Sequence, residues 1–152
     1  MFTGIVEERG TVLRFEEVTN AWELKVSASR IIEGLKIGES VAVNGCCLSV
    51  VNVDQSTISF EVVGETIRLT SLGNLRERQR EILLSASAKD SSNSPNLTNS
   101  MSVNLERSVR PDGRFGGHFV TGHIDAIGRI TQLELSQKDY YLRVEPPIDL
   151  MK

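Results

Sequence analysis

Aromatic residues are scarce in this 152-residue sequence, at 5% of positions, and basic residues are not in excess: 17 Lys and Arg face 20 Asp and Glu, for a formal net charge of -3. Without a basic stripe or much stacking surface, nucleic acid is not an expected partner. No apolar run reaches the roughly 18 residues of a membrane-spanning helix. The opening Met1-Phe2-Thr3-Gly4 lacks the basic and apolar regions of a secretory leader. Cysteine is confined to the neighbours Cys46 and Cys47. A disulfide between adjacent residues needs a strained ring, so two reduced thiols and a cytoplasmic setting are expected. The two histidines, His118 and His123, would point to opposite faces of an extended strand, and no Cys-x-x-Cys pair accompanies them. No metal site is expected. Nor is a nucleotide fingerprint present, because the glycines at 113, 116 and 117 lack the required spacing and following helix.

What the chain does contain is a repeat. At a constant offset of 118, Thr3 matches Thr121, Gly4 matches Gly122, Val6 matches Ile124, Gly10 matches Gly128 and Val12 matches Ile130. The register continues through Trp22 on Tyr140, Leu24 on Leu142 and Val26 on Val144. Such a span in register marks a duplication. Lys152 corresponds to position 34, so the second copy is incomplete, and on its own it is expected to be unstable, with unpaired strand edges.

Alternating, β-branched runs occupy 4–13, 22–28, 40–53 and 57–63. Asn44-Gly45 interrupts the third run where positive φ is cheap, predicting a tight hairpin with arms 41–43 and 47–50. Residues 31–35 and 65–72 suit short helical turns. Several short antiparallel strands within about 90 residues suggest a small closed barrel, since closure removes exposed edges. The charged stretch 76–81 and the Ser/Asn-rich stretch 85–102 read as a flexible insert. The expected organisation is a barrel core over 1–75, an insert over 76–102, and 103–152 supplying a strand that completes the first barrel plus part of a second.

Three clusters carry candidate chemistry. Cys47 and Ser49 are two apart and share one face of a strand, either as a pocket wall or with Cys47 as a small core residue. Thr66 opens a helical turn, where its hydroxyl either caps the helix or meets a ligand. Both histidines stand beside glycines that permit close backbone approach.

The segments 1–7 (MFTGIVE), 43–50 (VNGCCLSV), 65–73 (ETIRLTSLG), 103–107 (VNLER) and 116–125 (GGHFVTGHID) together resemble the riboflavin synthase family. The resemblance implies an all-β fold of duplicated six-stranded Greek-key closed barrels, with the second copy incomplete here. It implies a transferase that dismutates two 6,7-dimethyl-8-ribityllumazine molecules to riboflavin and 5-amino-6-ribitylaminouracil, with no cofactor, in a homo-oligomer that is trimeric in the intact family. Carried over, Gly4, Ile5 and Val6 line the N-terminal pocket, and Cys47, Leu48 and Ser49 form its wall. Glu61, Val62, Val63, Gly64, Glu65 and Thr66 hold the pyrimidine edge. Ser40 and Cys47 activate or deliver a nucleophile. In the second unit Gly122, His123 and Ile124 repeat the role of Gly4 to Val6, and His123 is placed for proton transfer at the acidic C7 methyl. Two departures qualify the resemblance: 29 residues separate Gly73 from Val103, and the second copy stops at Lys152. The alternative is a non-catalytic lumazine- or flavin-binding protein, or an inactive fragment.

Overall fold

The computed structural model describes residues 1–87 and 101–151. Its strands are β1 (Glu8–Val18), β2 (Ala21–Ser27), β3 (Ser40–Val43), β4 (Cys46–Val53), β5 (Thr57–Val62), β6 (Ser102–Arg107), β7 (Arg129–Ser136) and β8 (Asp139–Glu145). Among the described residues two helices, α1 (Gly64–Leu69) and α2 (Leu72–Ser87), lie between β5 and β6. Six strands close in the order β1-β2-β5-β4-β3-β6. Every pairing is antiparallel, and β2 bonds to β5 rather than to β3, the crossover of a Greek key. β6 joins β3 to β1, so the strand at 102–107 completes the first barrel.

Alternation fills the barrel. Leu24, Val26, Val41, Val43, Val50, Ile58, Phe60, Val62, Val103 and Leu105 are all buried in one core. In β1 the pairing with β2 shifts between Val12 and Arg14, so Val12 and Phe15, three residues apart, both face inward. The β3–β4 hairpin turns on Asn44 and Gly45, both at positive φ (49° and 81°), as expected for this pair of residues.

The segment 76–102, expected as a flexible insert, is helical through Ser87, because 76–87 continue α2. Leu72, Leu75, Gln79 and Ile82 recur at helical spacing, and that stripe is buried or half-buried. Gln79 donates to the Leu13 carbonyl at 3.2 Å, and the Arg76 guanidinium lies 5.3 Å from the centre of the Trp22 ring. Of the rest of the expected insert, 88–100 lie outside the described residues, whereas Met101 is buried in the barrel core and Ser102 opens β6.

The second copy forms a two-stranded sheet, β7-β8. Its register repeats that of β1-β2 residue for residue at the offset of 118, including the shift between Ile130 and Gln132. Among the described residues no third strand pairs with it. β1 starts at Glu8 because its first residues pair with β6, whereas β7 starts at Arg129, three residues later in the repeat. A strand without a partner on that edge shortens.

Candidate functional site

The outer face of β3, β4 and β6 carries a row of three residues. Ala42 pairs with Glu106 on one side and with Cys47 on the other. Cys46 points the opposite way, into the core, where burial first and its thiol neighbour second push its pKa up to about 11. A neutral buried thiol is a poor nucleophile. Of the two alternatives for Cys47, the small core residue is not the one found: the core cysteine is Cys46, and Cys47 is half-buried on the outside.

Two equivalent turns settle on this row. In the first copy Gly4 has φ +80° and the Ile5 N–H donates to Thr3 Oγ1 at 3.2 Å. In the second, Gly122 has φ +78° and the His123 N–H donates to Thr121 Oγ1 at 3.3 Å. Their anchors differ. Glu106 accepts from the Thr3 N–H (2.5 Å), the Thr3 hydroxyl (2.7 Å) and the Gly4 N–H (3.1 Å). The Gly122 carbonyl instead accepts from the Cys47 N–H at 2.8 Å. A Cβ at Gly122 would sit 2.8 Å from Cys47 Cβ, so only glycine fits both the φ and the space. Between the turns, Phe2 and Val120, also 118 apart, exchange two backbone hydrogen bonds of 2.7 and 3.0 Å. The copies thus meet at equivalent positions, and the second copy's turn lies on the first barrel. Beside it Ile124 packs against the barrel core while His123 is exposed.

Ser40 and Ser49 are direct partners and share the outer face with Cys47. Leu48, expected in the pocket wall, turns its side chain into the core, as does Val62. Period-two alternation requires this once Cys47 faces out, and each can offer an outside ligand only its backbone. Antiparallel pairing of β4 with β5 brings the end of β5 and the start of α1, with Glu61, Val63, Gly64, Glu65 and Thr66, toward the start of β4. The residue capping α1 is Val63, without a side-chain bond, so Thr66 is not the cap. Thr66 is half-buried, its carbonyl accepts from the Thr70 N–H and hydroxyl, and Glu65 pairs with Arg68.

Gly4 and Val6 line a cavity of about 250 Å³ with Ala42, Asn44, Gly45 and Glu106. Ile5 and Ser40 open on a larger one, about 550 Å³, between the N-terminal segment and residues 106–116. Neither cavity includes Cys47, Ser49 or Thr66. Gly4 to Val6 and Cys47 to Ser49 therefore share neither of these two cavities. Beside the larger cavity Arg107 grips Glu7 through its side chain (2.7 Å) and backbone N–H (2.6 Å). Burial raises the Glu7 pKa, but the Arg107 hydrogen bonds outweigh it and hold the carboxyl below its ordinary range. Among the described residues no group of three or more His, Cys, Asp and Glu could hold a metal, and no helix is long and apolar enough to cross a membrane.

A family model described as "Lumazine binding domain" matches residues 3–84, more than half of the chain. The chain belongs to the lumazine-binding domain family. Riboflavin synthase of Bacillus subtilis is 37% identical over 150 residues, covering 97% of the chain and 60% of that protein. Riboflavin synthase of Actinobacillus pleuropneumoniae is 33% identical over 152 residues, covering 100% and 60%. The chain thus spans about three fifths of the length of these curated relatives. The crystal structure of LumP complexed with riboflavin shares the fold of this lumazine-binding domain, with a TM-score of 0.68 at 22% identity over 99% of the chain and 70% of LumP. LumP complexed with 6,7-dimethyl-8-(1'-D-ribityl) lumazine matches with a TM-score of 0.66.

Glu106, the anchor of the first turn, is not among the candidate site residues of the sequence, where its segment VNLER carries only the family resemblance. The signal that marks it is a glutamate at an outward strand position that is nevertheless buried, and only the fold reveals that burial.

Proposed function

We propose that this lumazine-binding domain holds 6,7-dimethyl-8-ribityllumazine on the outer face of β4, at the junction where the Gly122 carbonyl meets the Cys47 N–H. That junction carries the reading. It gathers Cys47, Ser49, His123 and Ile124 from two copies of a repeat, and it lies near Val63 to Thr66. Thr66 and the backbone of residues 61–65 hold the pyrimidine edge. Gly4, Ile5 and Val6 serve the ligand through backbone groups from the neighbouring turn.

In the whole protein the reaction is riboflavin synthase dismutation. One lumazine gives up a four-carbon unit to the other, yielding riboflavin and 5-amino-6-ribitylaminouracil, so atoms balance without a further reactant. Two identical flat molecules must be held face to face, and orientation is worth about 7–11 kcal/mol in favourable cases. His123, exposed beside the junction, takes the proton from the C7 methyl of one lumazine. Cys47 and Ser40, on the outer face, activate or deliver the nucleophile to the other, and the buried Cys46 takes no part. The pocket of one subunit faces a second-barrel pocket of a neighbour in a homo-oligomer, trimeric for the whole protein. Its setting is the cytoplasm, as the free thiols at 46 and 47 favour.

A second reading, a lumazine or flavin carrier without turnover, is favoured by the two-stranded second copy, which presents no second barrel wall among the described residues. The test is to add dimethylribityllumazine to the purified chain while following lumazine and riboflavin fluorescence. Turnover supports the enzyme, and saturable binding without product supports the carrier for this chain. Absence of binding removes the site.

A further inference from the structure

Glu106 is a buried carboxylate on a strand position that faces away from the core. A charged group in that place needs strong partners, and among the described residues its three hydrogen bonds all go to one turn: the Thr3 N–H, the Thr3 hydroxyl and the Gly4 N–H. Those partners lie more than 100 residues away in the chain, so the contact is tertiary and not a local cap. The residue before them, Phe2, is fully buried and exchanges two hydrogen bonds with Val120. Two residues beyond Val120, the Gly122 carbonyl meets Cys47. One continuous path therefore runs from Glu106 through Thr3, Phe2, Val120 and Gly122 to Cys47, and returns to Glu106 through Ala42.

The equivalent turn of the second copy has no such carboxylate among the described residues, although its φ and internal hydrogen bond are the same. It depends on the Phe2–Val120 bridge and on Cys47 for its place. We propose that Glu106 is a positioning residue of the ligand site: by clamping Thr3 and Gly4 it fixes Phe2, and through Phe2 it seats Gly122, His123 and Ile124 on Cys47. This rests on the lumazine-site reading above. Glu106 touches neither Cys47 nor the bound lumazine of that reading, and it works through backbone placement alone.

The test uses the full chain with Glu106→Gln, which keeps one acceptor oxygen and replaces the other with a donor facing backbone N–H groups. Amide hydrogen exchange at Cys47 is expected to quicken by about tenfold, with the dissociation constant for dimethylribityllumazine rising by a similar factor. Amides of β2 and β5 keep their protection. Thr3→Val is expected to act in the same direction with a smaller effect, and the double variant should be no worse than Glu106→Gln. Unchanged exchange at Cys47 overturns the clamp. Faster exchange with unchanged lumazine affinity overturns its role at the ligand site. If Glu106→Gln loosens the whole barrel, Thr3→Val decides by the same two readouts. If the wild-type chain binds no lumazine, the functional reading falls, while exchange at Cys47 still judges the clamp.

Discussion

The β1-β2 and β7-β8 hairpins have the same register, the same bulge and the same alternation, yet one is core and the other is surface. Val12, Phe15, Leu24 and Val26 are at most 7% exposed, whereas their counterparts Ile130, Leu133, Leu142 and Val144 are 50% to 62% exposed. Pairing and bulge placement are thus specified within about 20 residues of sequence. Burial is not. It comes from the β3–β6 wall, which covers the first hairpin and which the second lacks among the described residues. Strand register is local information, and a core is a property of the closed set.

The comparison is broken or sharpened most strongly by core truncation. Leu24→Ala should destabilise the barrel by about 2–5 kcal/mol through lost burial and a cavity. Leu142→Ala, its equivalent, should stay within about 0.5 kcal/mol. Urea unfolding of both variants checks this, and equal losses would mean that the second hairpin is buried in solution.

The ligand site gives the next effects. Gly122→Ala forces a Cβ to within 2.8 Å of Cys47 Cβ at a φ that alanine rarely adopts, so lumazine binding should weaken by at least about tenfold. Thr66→Val should weaken it by about 1–3 kcal/mol by leaving a ligand group unpaired. Calorimetric titration measures both.

A paired glycine substitution follows. A Cβ at Gly10 would lie 2.5 Å from Val26 Cγ1 and 2.6 Å from Leu105 Cδ1, inside the barrel. Gly10→Ala should cost about 1–3 kcal/mol by overpacking. At Gly128 the neighbour is Val144 Cγ1 at 2.8 Å, but that side chain is half exposed and the hairpin can give way. Gly128→Ala should therefore cost less, as thermal melts of the two variants would reveal.

The smallest expected effect is on pH. The Glu7 carboxyl titrates below its ordinary value of 4.5 in the fold, so its contribution is fully present above that pH and is lost as pH falls through the depressed folded value. Glu7→Gln should flatten the acid limb of a stability profile and leave the neutral region nearly parallel. An unchanged acid limb would show that the Arg107 pair contributes nothing measurable.

Much of this was legible in the sequence because it rests on local rules. Asn44-Gly45 specified its hairpin, alternation put Cys47 and Ser49 on one face, and the offset of 118 anticipated a shared register between the hairpins. Which face pointed inward was harder, since adjacent cysteines serve either side, and the structure assigned the core to Cys46. Helix α2 was obscured by its charged outer face: only Leu72, Leu75, Gln79 and Ile82 mark the inner stripe, and one of those is polar. The Glu106 clamp and the Gly122–Cys47 bond were out of reach of local reasoning. Each joins residues 75 to 103 apart in the chain, and only the closed barrel makes them neighbours.

The most direct test of the account is a 15N-resolved NMR titration of the full chain with dimethylribityllumazine. The predicted result is saturable shifts at Cys47, Ser49, Thr66, His123 and Ile124, with the β7-β8 amides unmoved. Shifts confined to the exposed hairpin, or none at the Cys47–Gly122 junction, would contradict it.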